Sequence, residues 1–154
     1  MSKLMKEIEN NLVNEPLFSE YFSSFEEFQS NTHIEQHGNE DIEVLEIRGN
    51  TSKEDRTSFK ILRLYKNSNN QIVILNIYLP GTMRNKGFGM KILSIVHELC
   101  KSQSHSLFID DMVSSFHRKM LKRGAAEINY EAVEITDDTQ LFVDNALKEN
   151  CENL

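Results

Sequence analysis

The most apolar run in the chain, QIVILNIYLP from Gln71 to Pro80, constrains the fold more than any other segment. It is short and rich in β-branched residues, which is typical of a strand buried on both faces at the centre of a sheet. Apolar residues at helical spacing follow from Met90 to Lys101, and HSLFID then has the pattern of another strand. A strand, a helix and a second strand in this order predict a right-handed parallel crossover.

The chain before this unit predicts antiparallel strands. The segments DIEVLEIRG and SFKILRLYK alternate apolar and polar residues, and HIEQH gives a shorter and weaker strand signal. The polar stretches NTSKEDRT and NSNN have the composition of loops and turns between such strands. We therefore expect an α/β (α+β) fold in which antiparallel N-terminal strands and a parallel β-α-β crossover share one mixed sheet.

Residues 1–30 predict two helices. In the first, Leu4, Ile8 and Leu12 recur at helical spacing, and Pro16 ends the run. The second shows an aromatic stripe, which consists of Leu17, Tyr21, Phe25 and Phe28. We interpret this stripe as core packing, although these helices could also form a homodimer or docking surface.

The C-terminal third predicts one more helix and further strands. Ser114 and Ser115 have the residue type of helix caps, and the helix should run from Phe116 to about Lys122 and end at Gly124. EINYEAVEIT alternates like a strand, and TQLFVDN could pair with it as a hairpin over 137–138. We expect residues 1–154 to form one domain, with 71–124 as its ligand-binding core and 149–154 as a frayed tail.

Composition predicts a soluble protein of the cytoplasm. The chain has 154 residues, of which 39% are apolar and 27% charged, and no apolar run approaches the roughly 20 residues that span a bilayer. The N-terminal MSKLMKEIENN lacks the pattern of a signal peptide. Cys100 and Cys151 form no CxxC motif, which favours reduced thiols. We expect no membrane partner.

The charge distribution predicts an anion site in an acidic protein. The net charge is −7, but the window from Arg84 to Arg123 has eight Lys or Arg against three Asp or Glu. This window suits an anionic ligand, and the acidic remainder could attract a cationic substrate; solvation of helix faces would explain the same charges equally well. The overall charge argues against a nucleic-acid partner.

The loop between the central strand and the next helix, PGTMRNKGFGM, has the character of a phosphate-binding loop. Glycines let the backbone approach a ligand, and a helix N-terminus adds partial positive charge at the same place. A Walker loop requires GxxxxGK followed by Ser or Thr, and a dinucleotide fingerprint requires GxGxxG. The stretch GTMRNKGF does not match the Walker loop. The stretch GFGMKI does not match the fingerprint, because Ile92 stands where its third glycine belongs.

The motif that remains, Arg-x-x-Gly-x-Gly in RNKGFG, resembles the GNAT family of acyl-CoA-dependent N-acyltransferases. The resemblance covers about Phe59 to Thr136 and includes the preceding strand, the crossover and the helix in SSFHRKMLKRGAAEI. It implies that the loop amides hold the pyrophosphate of coenzyme A and that the strand before the loop separates from the next strand to admit pantetheine. It also implies a backbone N–H near Ile77 to Leu79 that polarises the thioester carbonyl.

These implications define the predicted cofactor-binding residues. For acetyl-CoA or coenzyme A they are Ile77, Tyr78, Leu79, Arg84, Asn85, Lys86, Gly87, Phe88, Gly89 and Met90. Arg118, Lys119 and Lys122 could meet the 3′-phosphate or the adenine end, or could be ordinary surface charges. No metal is expected, because His33 and His37 lie in a predicted strand and turn and the other histidines show no ligand spacing.

The chain departs from the family pattern at the catalytic positions. Met120 stands four residues before Gly124, where the family usually has a proton-donating Tyr, and Asn76 stands where some members place a Glu base. The nearest candidates for proton transfer are His117 and Tyr130. A solvated helix histidine and a half-buried strand tyrosine are the alternative interpretations of these two residues.

The sequence supports two functional hypotheses. In the first, the protein transfers an acetyl or short acyl group from acyl-CoA to a primary amine of a small molecule or a protein, and the amine could be cationic. In the second, it is a catalytically weak or inactive module of the same fold that binds coenzyme A or a protein partner. The missing Tyr and Glu favour the second hypothesis, and the binding loop is common to both. A nucleotide-binding loop is disfavoured because neither nucleotide motif fits.

Overall fold

A mixed β-sheet lies at the centre of the fold. This computed structural model describes residues 1–16, 27–50, 59–77 and 87–141. The strands in these ranges are β1 (Glu27–His37), β2 (Glu40–Asn50), β3 (Phe59–Lys66), β4 (Gln71–Ile77), β5 (Ser106–Ile109), β6 (Ala126–Asn129) and β7 (Ala132–Ile135). The helices in these ranges are α1 (Lys3–Asn14), α2 (Phe88–Ser102) and α3 (Ser114–Lys122). The strand order is β1-β2-β3-β4-β5-β7-β6.

Strand β4 occupies the middle of the sheet, as its apolar sequence predicts. Ile72 and Ile74 point to one face and Val73 to the other, and all three are buried. The chain continues through α2 and returns as β5, which is parallel to β4. All other neighbouring strands are antiparallel. The predicted α/β fold class, with antiparallel N-terminal strands and a parallel crossover, is therefore confirmed.

Helices α1 and α2 pack against each other and against the sheet, where α1 contacts β2 and α2 contacts β5. Leu4, Ile8 and Leu12 are buried at the predicted helical spacing, and the Ser2 hydroxyl caps α1 by accepting from the Met5 N–H at 3.3 Å. The buried face of α2 contains Phe88, Met90, Ile92, Leu93, Val96 and Cys100. None of the helices in the described ranges combines the length and apolarity needed to cross a membrane.

Burial makes Cys100 a structural residue. Desolvation raises the pKa of its thiol to about 12, so the reactive thiolate is strongly disfavoured. This state agrees with the predicted reduced thiol, while Cys151 lies outside the described residues.

The predicted second helix is wrong over residues 27–30, which belong to β1. This strand runs for 11 residues in a continuous antiparallel ladder with β2, so Phe28 pairs with Gly49 instead of joining a helical stripe. Its side chain is 40% exposed and does not join the core. Leu17, Tyr21 and Phe25 lie outside the described residues. The helical spacing of the aromatics was misleading at Phe28 because cross-strand pairing overrides local periodicity.

The C-terminal hairpin closes earlier than predicted. Strands β6 and β7 are joined at Tyr130 and Glu131, where the Asn129 side-chain oxygen accepts from the Glu131 N–H at 2.9 Å. Residues 136–139 form a separate turn, and Gln140 returns to donate its N–H to the Arg123 carbonyl at 2.7 Å. The pairing of TQLFVDN with the preceding strand is therefore wrong for residues 139–141, and residues 142–145 lie outside the described part.

The ends of α3 confirm one prediction and correct another. The N-cap is Val113, without a side-chain hydrogen bond, and Ser114 is already the first helical residue, so the predicted serine cap is wrong. Gly124 ends the helix as predicted, with a φ of 92°. The Ala125 N–H donates to the Met120 carbonyl at 3.1 Å, which is a bond of the Schellman motif.

Replacing Gly124 by Ala tests this helix end. A Cβ at Gly124 would lie 2.7 Å from the Asp138 carbonyl oxygen, whereas a Cβ at Gly38, which also has a positive φ of 62°, would have no atom within 4 Å. We expect Gly38→Ala to lower the free energy of unfolding by about 1 kcal/mol through backbone strain alone. Gly124→Ala should cost about 1–3 kcal/mol more because of the contact. Equal losses in urea unfolding would contradict this steric explanation.

A network of charged side chains connects β1, β2 and β3. Arg63 donates to Glu35 at 2.9 Å and to Glu46 at 2.5 Å, and Arg48 donates to the other oxygen of Glu46 at 2.6 Å. His33 lies 2.8 Å from Glu35. The hydrogen bond from His33, followed by the hydrogen bond and positive charge of Arg63, lowers the pKa of Glu35 from 4.5 to about 2 against the opposing effect of burial.

This network predicts loss of stability in acid. Because the pKa of Glu35 is depressed in the folded protein, its contribution is complete above pH 4.5 and is lost as the pH falls to about 2. After solvent screening we expect Glu35→Gln to remove about 1 kcal/mol of the pH-dependent part of the unfolding free energy. Urea unfolding over this pH window measures the effect, with Glu127→Gln at an exposed position as the control. An unchanged pH dependence in Glu35→Gln would contradict the assignment.

Candidate ligand site at the β4–β5 edge

Strands β4 and β5 separate before β4 ends. Their parallel ladder runs from Gln71 to Ile74 on β4, and the Asp110 N–H then donates to the Ile74 carbonyl at 2.9 Å. In the described part, Asn76 and Ile77 pair only with β3, and Leu75 is an extra residue in that pairing, which makes a β-bulge. We call the opening between residues 75–77 and the chain after Asp110 the β4–β5 split. Among the described residues, no strand pairs with the side of residues 75–77 that faces this opening.

The N-terminus of α2 has the properties of an anion site. Gly87 occupies the N-cap position with φ 79° and ψ 7°, a left-handed conformation that favours glycine, and it provides no side-chain cap. The N–H groups of Gly89 and Met90, in the first turn, have no acceptor within the helix, and no acidic residue lies in that turn. The helix dipole therefore adds partial positive charge beside these N–H groups.

The predicted pyrophosphate residues divide into those that the structure describes and those that it does not. Ile77 ends β4 and is half-buried, while the side chains of Phe88 and Met90 are buried in the core. The last two can therefore contribute to a ligand site only through main-chain groups, together with Gly87 and Gly89. Tyr78, Leu79, Arg84, Asn85 and Lys86 lie outside the described residues.

The cations of α3 lie on its exposed side. Arg118, Lys119 and Lys122 are exposed, and within the described residues they form no ion pair. Helix α3 starts just after β5, at the same edge of the sheet as the split, and these residues are about 6–12 Å along the helix from its start. Their role in binding the adenine end stays a prediction.

The two candidate proton-transfer residues have opposite environments. His117 is only 7% exposed, and its Nε2–H donates to the Asn129 carbonyl at 2.8 Å. Tyr130 is 80% exposed in the β6–β7 turn. This turn lies at the same edge of the sheet as the split, since β6 runs parallel to β4, but about three strand spacings of 4.8 Å away. The catalytic assignment of each residue stays a prediction.

Met120 and the two histidines His33 and His37 have structural surroundings. Met120, where the resembling family has Tyr, is fully buried in the hydrophobic core. His33 and His37 both lie beside Glu35, at 2.8 and 3.6 Å. Across residues 1–16, 27–50, 59–77 and 87–141, no cluster of three or more His, Cys, Asp or Glu side chains is arranged to hold a metal ion.

The sequence analysis overlooked Asp110, which lies at the point where the split begins. Its backbone bond to Ile74 is the last between β4 and β5, and its side chain is partly exposed. The available signal was its position: ligands of α/β sheets bind outside the carboxyl ends of parallel strands, and Asp110 directly follows β5.

Comparisons with known proteins leave the family open. No family model matches the chain, and no curated protein matches its sequence. A crystal structure of a protein from Agrobacterium tumefaciens, provisionally assigned as an acetyltransferase, aligns with 81% of this chain and 86% of that chain. The TM-score is 0.39 and the sequence identity 12%, values too low to support an assignment.

The bond from His117 to Asn129 predicts different effects of two substitutions. His117→Leu removes the donor, and because Asn129 is exposed, the lost bond should cost about 0.5–1.5 kcal/mol of unfolding free energy. His117→Gln keeps an N–H donor and should cost less. Thermal or urea unfolding of both variants measures the difference, and equal losses would show that the bond contributes little.

Proposed function

We propose that the protein is an N-acyltransferase that moves an acetyl or short acyl group from coenzyme A to a primary amine. The observation that carries this proposal is the β4–β5 split, which is followed along the chain by a helix whose N-cap, Gly87, provides no side-chain cap. An acyl-CoA thioester needs both parts, because its pyrophosphate is anionic and its pantetheine arm carries amides that can pair with an open strand edge. The RNKGFG motif lies in the connection between these parts.

Two features of the described residues support binding of such a ligand. The Gly87 backbone and the N–H groups of Gly89 and Met90 would bind the pyrophosphate, with no acidic side chain in the first turn of α2 to oppose it. The free edge of residues 75–77 would pair with pantetheine and orient the thioester. Arg84 and Lys86, from the connecting loop, would add positive charge to the same site.

Acyl transfer requires little covalent participation by the protein. A neutral amine nitrogen attacks the thioester carbonyl carbon, the C–S bond breaks, and the thiolate takes a proton. Holding the amine beside the thioester can supply a large share of the rate. The polar groups at the carboxyl edge of β4 and β5 then serve for proton transfer.

The second candidate is a module of this fold that binds coenzyme A without turnover. The buried position of Met120 favours it, because this side chain has no proton to donate and faces the core. Thiol release from acetyl-CoA with a panel of primary amines separates the two candidates. Turnover supports the transferase, whereas tight binding without turnover supports the module.

Calorimetric titration tests the binding site that both candidates share. We expect acetyl-CoA and coenzyme A to bind in the micromolar range and ATP not to bind. Gly87→Glu places a carboxylate beside the proposed pyrophosphate site and should weaken binding at least about tenfold relative to Gly87→Gln, which has the same backbone strain without the charge.

The stabilities of Gly87→Glu and Gly87→Gln show whether a loss of binding comes from a loss of folding. A carboxylate near a helix N-terminus stabilises the helix, so Gly87→Glu should unfold no more easily than Gly87→Gln. Gly38→Glu, at another glycine of positive φ, should leave binding unchanged. Absence of binding by folded wild-type protein, or equal affinity of the Glu and Gln variants, would contradict the proposed site.

A further inference from the structure

The backbone of Asp110 is fixed at the vertex of the β4–β5 split. Its N–H donates to the Ile74 carbonyl at 2.9 Å, in line with the β4–β5 ladder that ends at Ile109. The position of its Cα therefore depends on the sheet and not on the conformation of a loop. Any group held against residues 75–77 would lie close to this vertex.

The carboxylate of Asp110 accepts a backbone hydrogen bond but forms no ion pair among the described residues. The Asp111 N–H donates to its Oδ1 at 2.7 Å, and Asp111 has a positive φ of 57°. The next residue, Met112, donates its N–H to the Glu131 carbonyl at 2.9 Å. Among the described residues, no Lys, Arg or His lies within ion-pair distance of Asp110, although the side chain is partly withdrawn from water. A partly buried carboxylate without a cationic partner is available to a cationic ligand.

The face on which Asp110 lies follows from the sheet register. Tyr65, Val73 and Phe108 form a row across β3, β4 and β5, and Asp110 is two residues beyond Phe108 on the same side. Burial, and then the negative charge of Asp110, raises the pKa of Tyr65, which agrees with this placement. Asn76, paired with Arg63 on the other side of the bulge, lies on this face beyond the last rung.

On the basis of the proposed acyl transfer, we propose that Asp110 is the general base and that the acceptor is an amine that is protonated in solution. An Asp110 oxygen takes one proton from the ammonium group and leaves a neutral amine. The nitrogen lone pair forms the C–N bond to the thioester carbonyl carbon, and the C–S bond breaks. The second proton passes from nitrogen to the leaving sulfur, and Asp110 then releases its proton to water.

Two isosteric acceptors separate this role from a structural one. Butylamine is almost entirely protonated near pH 7.5, as the lysine side chain is, with a pKa of about 10.4, whereas O-propylhydroxylamine is neutral there and needs no base. For Asp110→Asn we expect kcat/KM to fall about 100-fold or more with butylamine and less than about threefold with O-propylhydroxylamine. Asn keeps an oxygen that accepts from the Asp111 N–H.

Two controls accompany this comparison. Asp41→Asn removes an exposed carboxylate at the opposite edge of the sheet and should change neither rate. Acetyl-CoA affinity and unfolding free energy should be the same in Asp110→Asn and wild type, because the substitution leaves the proposed pyrophosphate site and the backbone bond to Ile74 intact.

The results distinguish the assignment of Asp110 as the base from the acyl transfer on which it rests. Equal loss of kcat/KM for both acceptors in Asp110→Asn would overturn the base assignment while leaving acyl transfer in place, as would no loss for either. Acylation of O-propylhydroxylamine alone by wild type would also overturn it, because no base would then act on an ammonium group. Binding of acetyl-CoA by wild type with acylation of neither acceptor would overturn both the base and the transferase proposal.

Discussion

The short parallel pairing between β4 and β5 is the constraint on which the rest of this structure depends. It extends only from Gln71 to Ile74 on β4, yet it places Ile72 and Ile74 in the core and fixes the return of the chain after α2. Because the ladder stops there, the bulge at Leu75 and the remaining residues of β4 have one side to which no strand of the described ranges pairs. The pairing that builds the core therefore also sets where a ligand can enter. A longer ladder would strengthen the sheet and close the split.

Helix α2 has a well-packed buried face and an N-terminus without a side-chain cap from Gly87. Its buried face, which includes Leu93 and Val96, packs against α1 and the sheet. Its N-cap, Gly87, provides no side-chain cap, and its first turn has no acidic residue. A glycine cap costs a helix roughly a few tenths of a kcal/mol, and the missing charge about 0.3–1 kcal/mol. Apolar burial of about 1.5–3 kcal/mol for each large side chain readily offsets these costs. The helix therefore does not depend on a side-chain cap from Gly87 for its stability.

The parts of the fold that the sequence predicts correctly are those in which a local pattern and tertiary packing agree. Strand β4 and helix α2 are examples, because each has an apolar period that matches its burial. The prediction fails at Phe28, where helical spacing competes with an 11-residue ladder that only the partner strand β2 can specify. Asp110 was missed for a related reason: its chemistry depends on the last rung to Ile74, and a rung between strands separated by a helix has no signature in the local sequence.

The orientation of α3 places its candidate proton-transfer positions in the core. In the proposed acyl transfer, proton transfer would therefore use groups at the edge of the sheet. His117 and Met120 are three residues apart and therefore share one face of the helix, and both are buried. That face contacts the core and the β6–β7 hairpin, to which His117 is hydrogen-bonded. A proton-transfer residue on it would have to break this packing to reach the split. The groups at the carboxyl ends of β4 and β5 require no such movement, because the backbone that positions them is already part of the opening.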